Sequence, residues 1–276
     1  MERTLIRRIT TLLAAVLAVQ CLHSQEFISH RGVVGDAYNF WVYLPHSDKA
    51  ENEGLPVVVF LHGRSLCGND MSSLFRYGTL DAVDKGLDLD AIVIAPQNPG
   101  ESWKAGKLIS IVNWCLEEYR GDGNRVYVIG MSLGGFGTLD FAGTFPDRIA
   151  AAVSFCGGTY LKDLSGLAEV PLWILHGKAD EKVPLHESVR VADEIMAMHK
   201  DERLMYDWLD GYNHGSLARC FYMKMFYDWL FDHSLTDPNR SVNWSYTISD
   251  EDFKDVYMDC HKTPGSIPRI NYKSLD

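Results

Sequence analysis

The chain has 276 residues, 46% hydrophobic and 12% aromatic, and a formal net charge of −11. That length and apolar content suit one globular domain with a full core and argue against a disordered or low-complexity chain. The acidic excess argues against nucleic acid and anionic lipid as partners.

Residues 1–24 carry Arg3, Arg7 and Arg8, then a mainly apolar run over 9–19, then small or polar residues. This is the pattern of a secretory signal peptide, with cleavage expected near Ser24. A lipid anchor on Cys21 is the alternative, and Gln20 before it is not the small residue such processing prefers. Three arginines and one glutamate leave with the leader, so the mature chain stands near −13. No later stretch approaches the roughly eighteen apolar residues a membrane-spanning helix needs, so no transmembrane segment is expected. The expected organisation is a leader at 1–24, a catalytic domain at 25–234 and an extension at 235–276. The oligomeric state is not readable.

Residues 27–34 and 38–44 flank Gly35 and Asp36 as two strands of a hairpin. After a polar loop at 48–54, the continuous apolar run at 56–61 reads as a strand buried on both faces of a parallel sheet. A helix is predicted over 71–83, a buried strand over 91–95 and a helix over 107–119. Further strands follow at 126–129, 149–155 and 170–175, a helix at 185–198, a short strand at 203–208 and an amphipathic helix at 216–231. About eight strands, mostly joined by helical crossovers, imply an α/β fold with a mostly parallel sheet and helices on both faces. Beyond Asp232 the pattern dissolves, with only 253–258 expected to be ordered in an extension packed on the surface.

In such sheets chemistry collects at the carboxyl ends of the strands. Gly130-Met131-Ser132-Leu133-Gly134 has the form G-x-S-x-G between a predicted strand and a segment of helical periodicity. There the serine would sit on a sharp, strained turn, with glycines two residues away on either side allowing close approach. The Leu133 amide, at a helix N-terminus, could donate to an oxyanion. Asp180 follows the 170–175 strand and His214 the 203–208 strand, so serine, acid and base occur in one known triad order. A serine hydroxyl needs a histidine to take its proton, and the histidine needs a carboxylate to fix its tautomer. Rivals exist for each role. His62 and His176 both precede a glycine after an apolar run and fit a loop-shaping role. His186, His199 and His233 lie on or beside predicted helices and read as solvated. Asp210 reads as a loop carboxylate, Glu181 is a neighbour of Asp180, and Ser65 lacks the strand, turn and helix setting.

The loop at His62-Gly63-Arg64 is expected to supply a second oxyanion donor, the Arg64 amide, unless it is only a tight turn. Trp103, beyond the 91–95 strand, is either a pocket wall for the acyl or alcohol group or a core residue, and His62 is placed with it among substrate-binding candidates. No metal-binding spacing is present. Cys115 and Cys156 read as buried thiols, and Cys220 with Cys260 is the one disulfide pairing to test.

These motifs, with Phe145-Pro146-Asp147 and Val183-Pro184, resemble the α/β-hydrolase superfamily. Within it they are similar to compact secreted esterases related to carboxylesterase/phospholipase, feruloyl esterase and prolyl-oligopeptidase-type catalytic domains. The resemblance covers about 38–231 and implies ester hydrolysis through an acyl-enzyme without metal or organic cofactor. The stretch 64–68 departs from the more Gly-rich loop of many relatives. Because 156–169 is short where lidded lipases insert a cap, an open site with no large cap domain is expected. The implied substrate is a small-molecule or polysaccharide-linked ester, feruloyl or acetyl decorations among them. A prolyl-oligopeptidase-type peptidase, a non-catalytic binding module and a thioesterase are the alternatives.

Overall fold

The apolar run after the polar loop forms β3 (Leu55–Leu61), buried along its whole length because both faces of the sheet are covered. Alternate residues divide between two cores: Val58 and Phe60 join one, Val57, Val59 and Leu61 the other. The computed structural model describes residues 25–46, 54–260 and the backbone of 273–275. The expected leader at 1–24, with Cys21, lies outside the described residues, as does most of the loop at 48–54.

The other strands are β1 (Glu26–His30), β2 (Phe40–Leu44), β4 (Ile92–Pro96), β5 (Gly121–Met131), β6 (Ala151–Phe155), β7 (Leu172–Gly177), β8 (Leu204–Leu209) and β9 (Lys273–Leu275). Their order is β8-β7-β6-β5-β3-β4-β2-β1-β9. From β3 to β8 all neighbours are parallel, whereas β2 runs antiparallel to both β1 and β4. From β3 the chain steps outward to β4, and from β5 it steps the opposite way through β6, β7 and β8. The reversal between β3 and β5 opens a crevice at their carboxyl ends, the place where open α/β sheets bind ligands.

Five helices cover the sheet among the described residues: α1 (Thr79–Asp84), α2 (Ala105–Tyr119), α3 (Leu133–Thr144), α4 (His186–Ala197) and α5 (Lys224–Phe231). Leu108, Phe141 and Val191 of α2, α3 and α4 join one core, and Leu80, Phe226 and Trp229 of α1 and α5 the other. No helix among the described residues is long and apolar enough to cross a membrane. Between β6 and β7 lies only a three-residue 3-10 turn, Leu167–Glu169, and no inserted cap.

The structure departs from the sequence reading in several places. The helix predicted over 71–83 is a 3-10 turn, Met71–Phe75, followed by α1, parted at Gly78, whose φ of 107° only glycine adopts readily. The helix predicted over 216–231 is a 3-10 segment, His214–Tyr222, followed by α5. Both parts bury the same side, through Leu217, Cys220 and Phe221 and then Phe226, Tyr227 and Leu230. Periods of 3.0 and 3.6 are hard to separate over so few turns. The segment after α5 is more than a surface appendage: Val242, Phe253 and Val256 are buried in the core that contains α5, and β9 adds a parallel strand beside β1. Cys115 and Cys156 are buried, but Cys220 and Cys260 are free thiols. Cys220 is wholly enclosed within the core, whereas Cys260 lies in an isolated bridge to Leu87.

Candidate active site

Ser132 stands between the last residue of β5 and the first of α3, with φ 59° and ψ −123°. This backbone conformation is costly for a residue with a Cβ and persists only where its surroundings enforce it. Here the Ser132 amide donates to Phe155 O on β6 at 2.9 Å. On the other side α3 presses so close to β3 that a Cβ on Gly134 would come within 1.8 Å of Leu61 O. Leu133 opens the helix, where the first amides have no intrahelical acceptor and the dipole favours negative charge.

Asp180 lies in the turn after β7, its side chain fully buried. Oδ1 accepts from the backbone amides of Lys182 at 2.8 Å and Val183 at 3.0 Å, and Oδ2 lies 2.6 Å from His214 Nδ1. Burial opposes the charged form, but these amides and the imidazole outweigh it and hold the carboxyl below its usual pKa. A carboxylate at Nδ1 requires the proton there in the neutral ring, leaving Nε2 with a lone pair. His214 is 20% exposed and begins the 3-10 segment that Asn213 caps by accepting from the Ser216 amide at 3.1 Å.

Ser132, Leu133, His214 and Arg64 line one cavity of about 550 Å³, with Phe136 and Tyr160 on its wall. His214 also borders a second cavity of about 430 Å³, lined by Glu181, Lys182 and Asn213. A hydroxyl on a strained turn, an oriented imidazole and amides at a helix start can together perform nucleophilic acyl transfer.

The Dienelactone hydrolase family profile matches residues 101–219, which include Ser132, Asp180 and His214. Feruloyl esterase B of Thermothelomyces thermophilus is 32% identical over 162 residues, 52% of this chain and 52% of that protein. Acetylxylan esterase A of Emericella nidulans is 22% identical over 205 residues, 61% of this chain and 64% of that protein. A solved thermostable esterase superposes with a TM-score of 0.63 at 24% identity, covering 76% of this chain and 63% of its own. The chain has the α/β-hydrolase fold. The match spans between 41% and 64% of the length of the curated relatives.

Within this hydrolase fold the other expected residues part company. Arg64 follows Gly63 as the first residue of a 3-10 turn after β3, and both border the Ser132 cavity. His62 and Trp103 do not line it. The His62 ring is fully buried, with Nδ1 donating to Gly63 O at 2.8 Å and Nε2 accepting from the Asn98 amide at 3.0 Å. Burial lowers its pKa to about 4, so it is neutral. Trp103 packs edge-on against His62 and Tyr38, its indole N–H 3.4 Å from His62 O. Both are corrected from substrate contacts to buried supports beside the Gly63-Arg64 loop, since their polar atoms bond the backbone of that loop and of Asn98 rather than facing the cavity.

Asp210 is exposed and pairs with Lys178, and the Ser65 hydroxyl is bonded to Tyr77 at 2.8 Å. His176 is buried, with Nδ1 at Ser188 Oγ, 2.8 Å, and Nε2 at Val183 O, 2.9 Å. His233, expected in solvent, is buried against Trp229 because the chain turns inward after α5. Cys156, His176 and Asp180 bring ligand-type atoms within 4.8 Å of one another. Their chemistry does not suit a metal: burial raises the Cys156 thiol pKa well above its usual range, and the other two side chains are already hydrogen-bonded. The sequence reading missed Phe136, Tyr160 and Tyr77. Of these only Phe136, one helical turn beyond Ser132, had a positional signal.

Proposed function

We propose that the chain is an exported serine carboxylic-ester hydrolase that works through an acyl-enzyme. Ser132 Oγ attacks the ester carbonyl while His214 Nε2 takes its proton, and Asp180 holds the ring in the required tautomer and stabilises the imidazolium. The Leu133 amide, with the Arg64 amide as second donor, receives the oxyanion. His214 then gives the proton to the departing alcohol, and a water activated by the same nitrogen releases the acid and restores Ser132.

The observation that carries this reading is the 2.6 Å contact between His214 Nδ1 and Asp180 Oδ2, made at the rim of the cavity that also holds the strained serine. The esterase names of the relatives support an ester over an amide, and feruloyl or acetyl groups on polysaccharide over a free lipid. The basic and apolar leader supports export.

Ser132→Ala tests the assignment. Turnover of p-nitrophenyl acetate should fall by about 10⁴-fold or more with an unchanged melting temperature. Retention of most of the wild-type rate would remove Ser132 as nucleophile.

A further inference from the structure

The two cavities that meet at His214 differ in chemistry. The one shared with Ser132 is lined by Tyr77 near Gly63 and by an aromatic pair, Phe136 and Tyr160, stacked with centroids 4.9 Å apart and planes inclined by 26°. The second is bounded by Glu181, Lys182, Asn213, His214 and small residues, with no Phe, Tyr or Trp, and Lys182 and His214 border both cavities.

Tyr160 is 60% exposed, a large ring left in solvent beside a cavity. Its position is nevertheless fixed. The Tyr160 amide donates to Asp140 Oδ1 at 2.9 Å, and the Thr159 hydroxyl donates to the same oxygen at 2.5 Å. Arg190 donates to Thr159 O at 2.9 Å, tying the loop to α4 as well. Asp140 projects from α3, the helix that begins at the serine, so the backbone that carries the ring is held in fixed relation to Ser132. A ring on an anchored backbone, stacked on Phe136 and 60% exposed, presents an open π-face.

The direction of the ester across the site follows from the proton. In the mechanism proposed above, on which this inference rests, the alcohol departs by taking a proton from His214, so it must lie on the His214 side. That side opens into the polar cavity. The aromatic wall is then left to the other half of the ester. We infer that Tyr160, backed by Phe136, is the specificity platform for a planar aromatic acyl group, while Glu181 and Asn213 face a hydroxyl-bearing alcohol. A stacked aromatic pair stabilises its partner beyond simple burial, so the platform favours an aryl-conjugated acyl group over acetyl.

The test compares wild type, Tyr160→Ala and Tyr160→Phe on methyl 4-hydroxycinnamate, methyl acetate and phenyl acetate. Tyr160→Ala should lower the ratio of kcat/KM for the hydroxycinnamate over methyl acetate about tenfold, and Tyr160→Phe should keep it within about twofold. The phenyl acetate to methyl acetate ratio, which places the ring on the alcohol side, should stay constant in all three. An unchanged hydroxycinnamate ratio, or a fall confined to phenyl acetate, overturns the platform while leaving ester hydrolysis intact. A wild type inactive on all three esters removes the parent reading and this one with it.

Discussion

Asp180 Oδ2 meets His214 Nδ1 at 2.6 Å, while Asp180 Oδ1 is held by two backbone amides of its own turn. The carboxylate is thus oriented by the loop after β7 before it orients the histidine after β8. Asp180→Asn would keep the shape, but its amide NH₂ could donate to Nδ1 and favour the tautomer with the proton on Nε2, the nitrogen that must accept from Ser132. The expected result is a loss in kcat on p-nitrophenyl acetate of about 10⁴-fold. A loss below tenfold would show that another group, Glu181 being the neighbour, serves as the acid.

Stability should weaken towards acid through two histidines that do no proposed chemistry. His62 and His233 are buried, and burial lowers each pKa from 6.5 to about 4. Between those values the unfolded chain binds protons that the folded chain refuses, so stability falls as the pH drops from about 6.5 towards 4. Each ring accounts for on the order of 3 kcal/mol at the acid end. Asp180 acts in the same direction at lower pH, its depressed pKa withdrawing stability as the carboxylate protonates. Urea midpoints at pH 7 and pH 4.5 measure the effect, and equal midpoints would contradict it.

What the sequence revealed follows from where burial is symmetric. Strands β3, β4, β6 and β7 are covered on both faces, so their runs of Val, Ile, Leu, Phe and Ala are continuous and their order with the helices is legible. The candidates Ser132, Asp180 and His214 stood out because they lie at or a few residues past the carboxyl ends of β5, β7 and β8. Trp103 and His62 were harder, since a position after a strand does not say whether the side chain faces the cavity or is buried beside the loop. Tyr160 gave no signal at all: what fixes it is Asp140, twenty residues earlier and on another element. Phe253 was read only as part of an ordered stretch at 253–258, because a short apolar cluster does not reveal which distant ring it meets.

That ring belongs to Tyr212, which comes two residues before His214. The Phe253 and Tyr212 rings lie 4.3 Å apart, Arg219 of the 3-10 segment donates to Phe253 O, and the Tyr212 hydroxyl donates to Asp250 at 2.9 Å. The extension therefore buttresses the loop that carries the proposed base, and its contribution should be visible both in stability and in activity. Phe253→Ala removes a ring that is 4% exposed and should cost about 3 kcal/mol, with kcat on p-nitrophenyl acetate falling several-fold as the His214 loop loosens. Trp244→Ala, on the same extension but 55% exposed, should stay within about 0.5 kcal/mol of wild type and leave kcat unchanged. Denaturant titration and steady-state kinetics on the two variants decide the matter. If Phe253→Ala matches Trp244→Ala in both measurements, the extension is a passive tail and the His214 loop is positioned by the sheet and Asp180 alone.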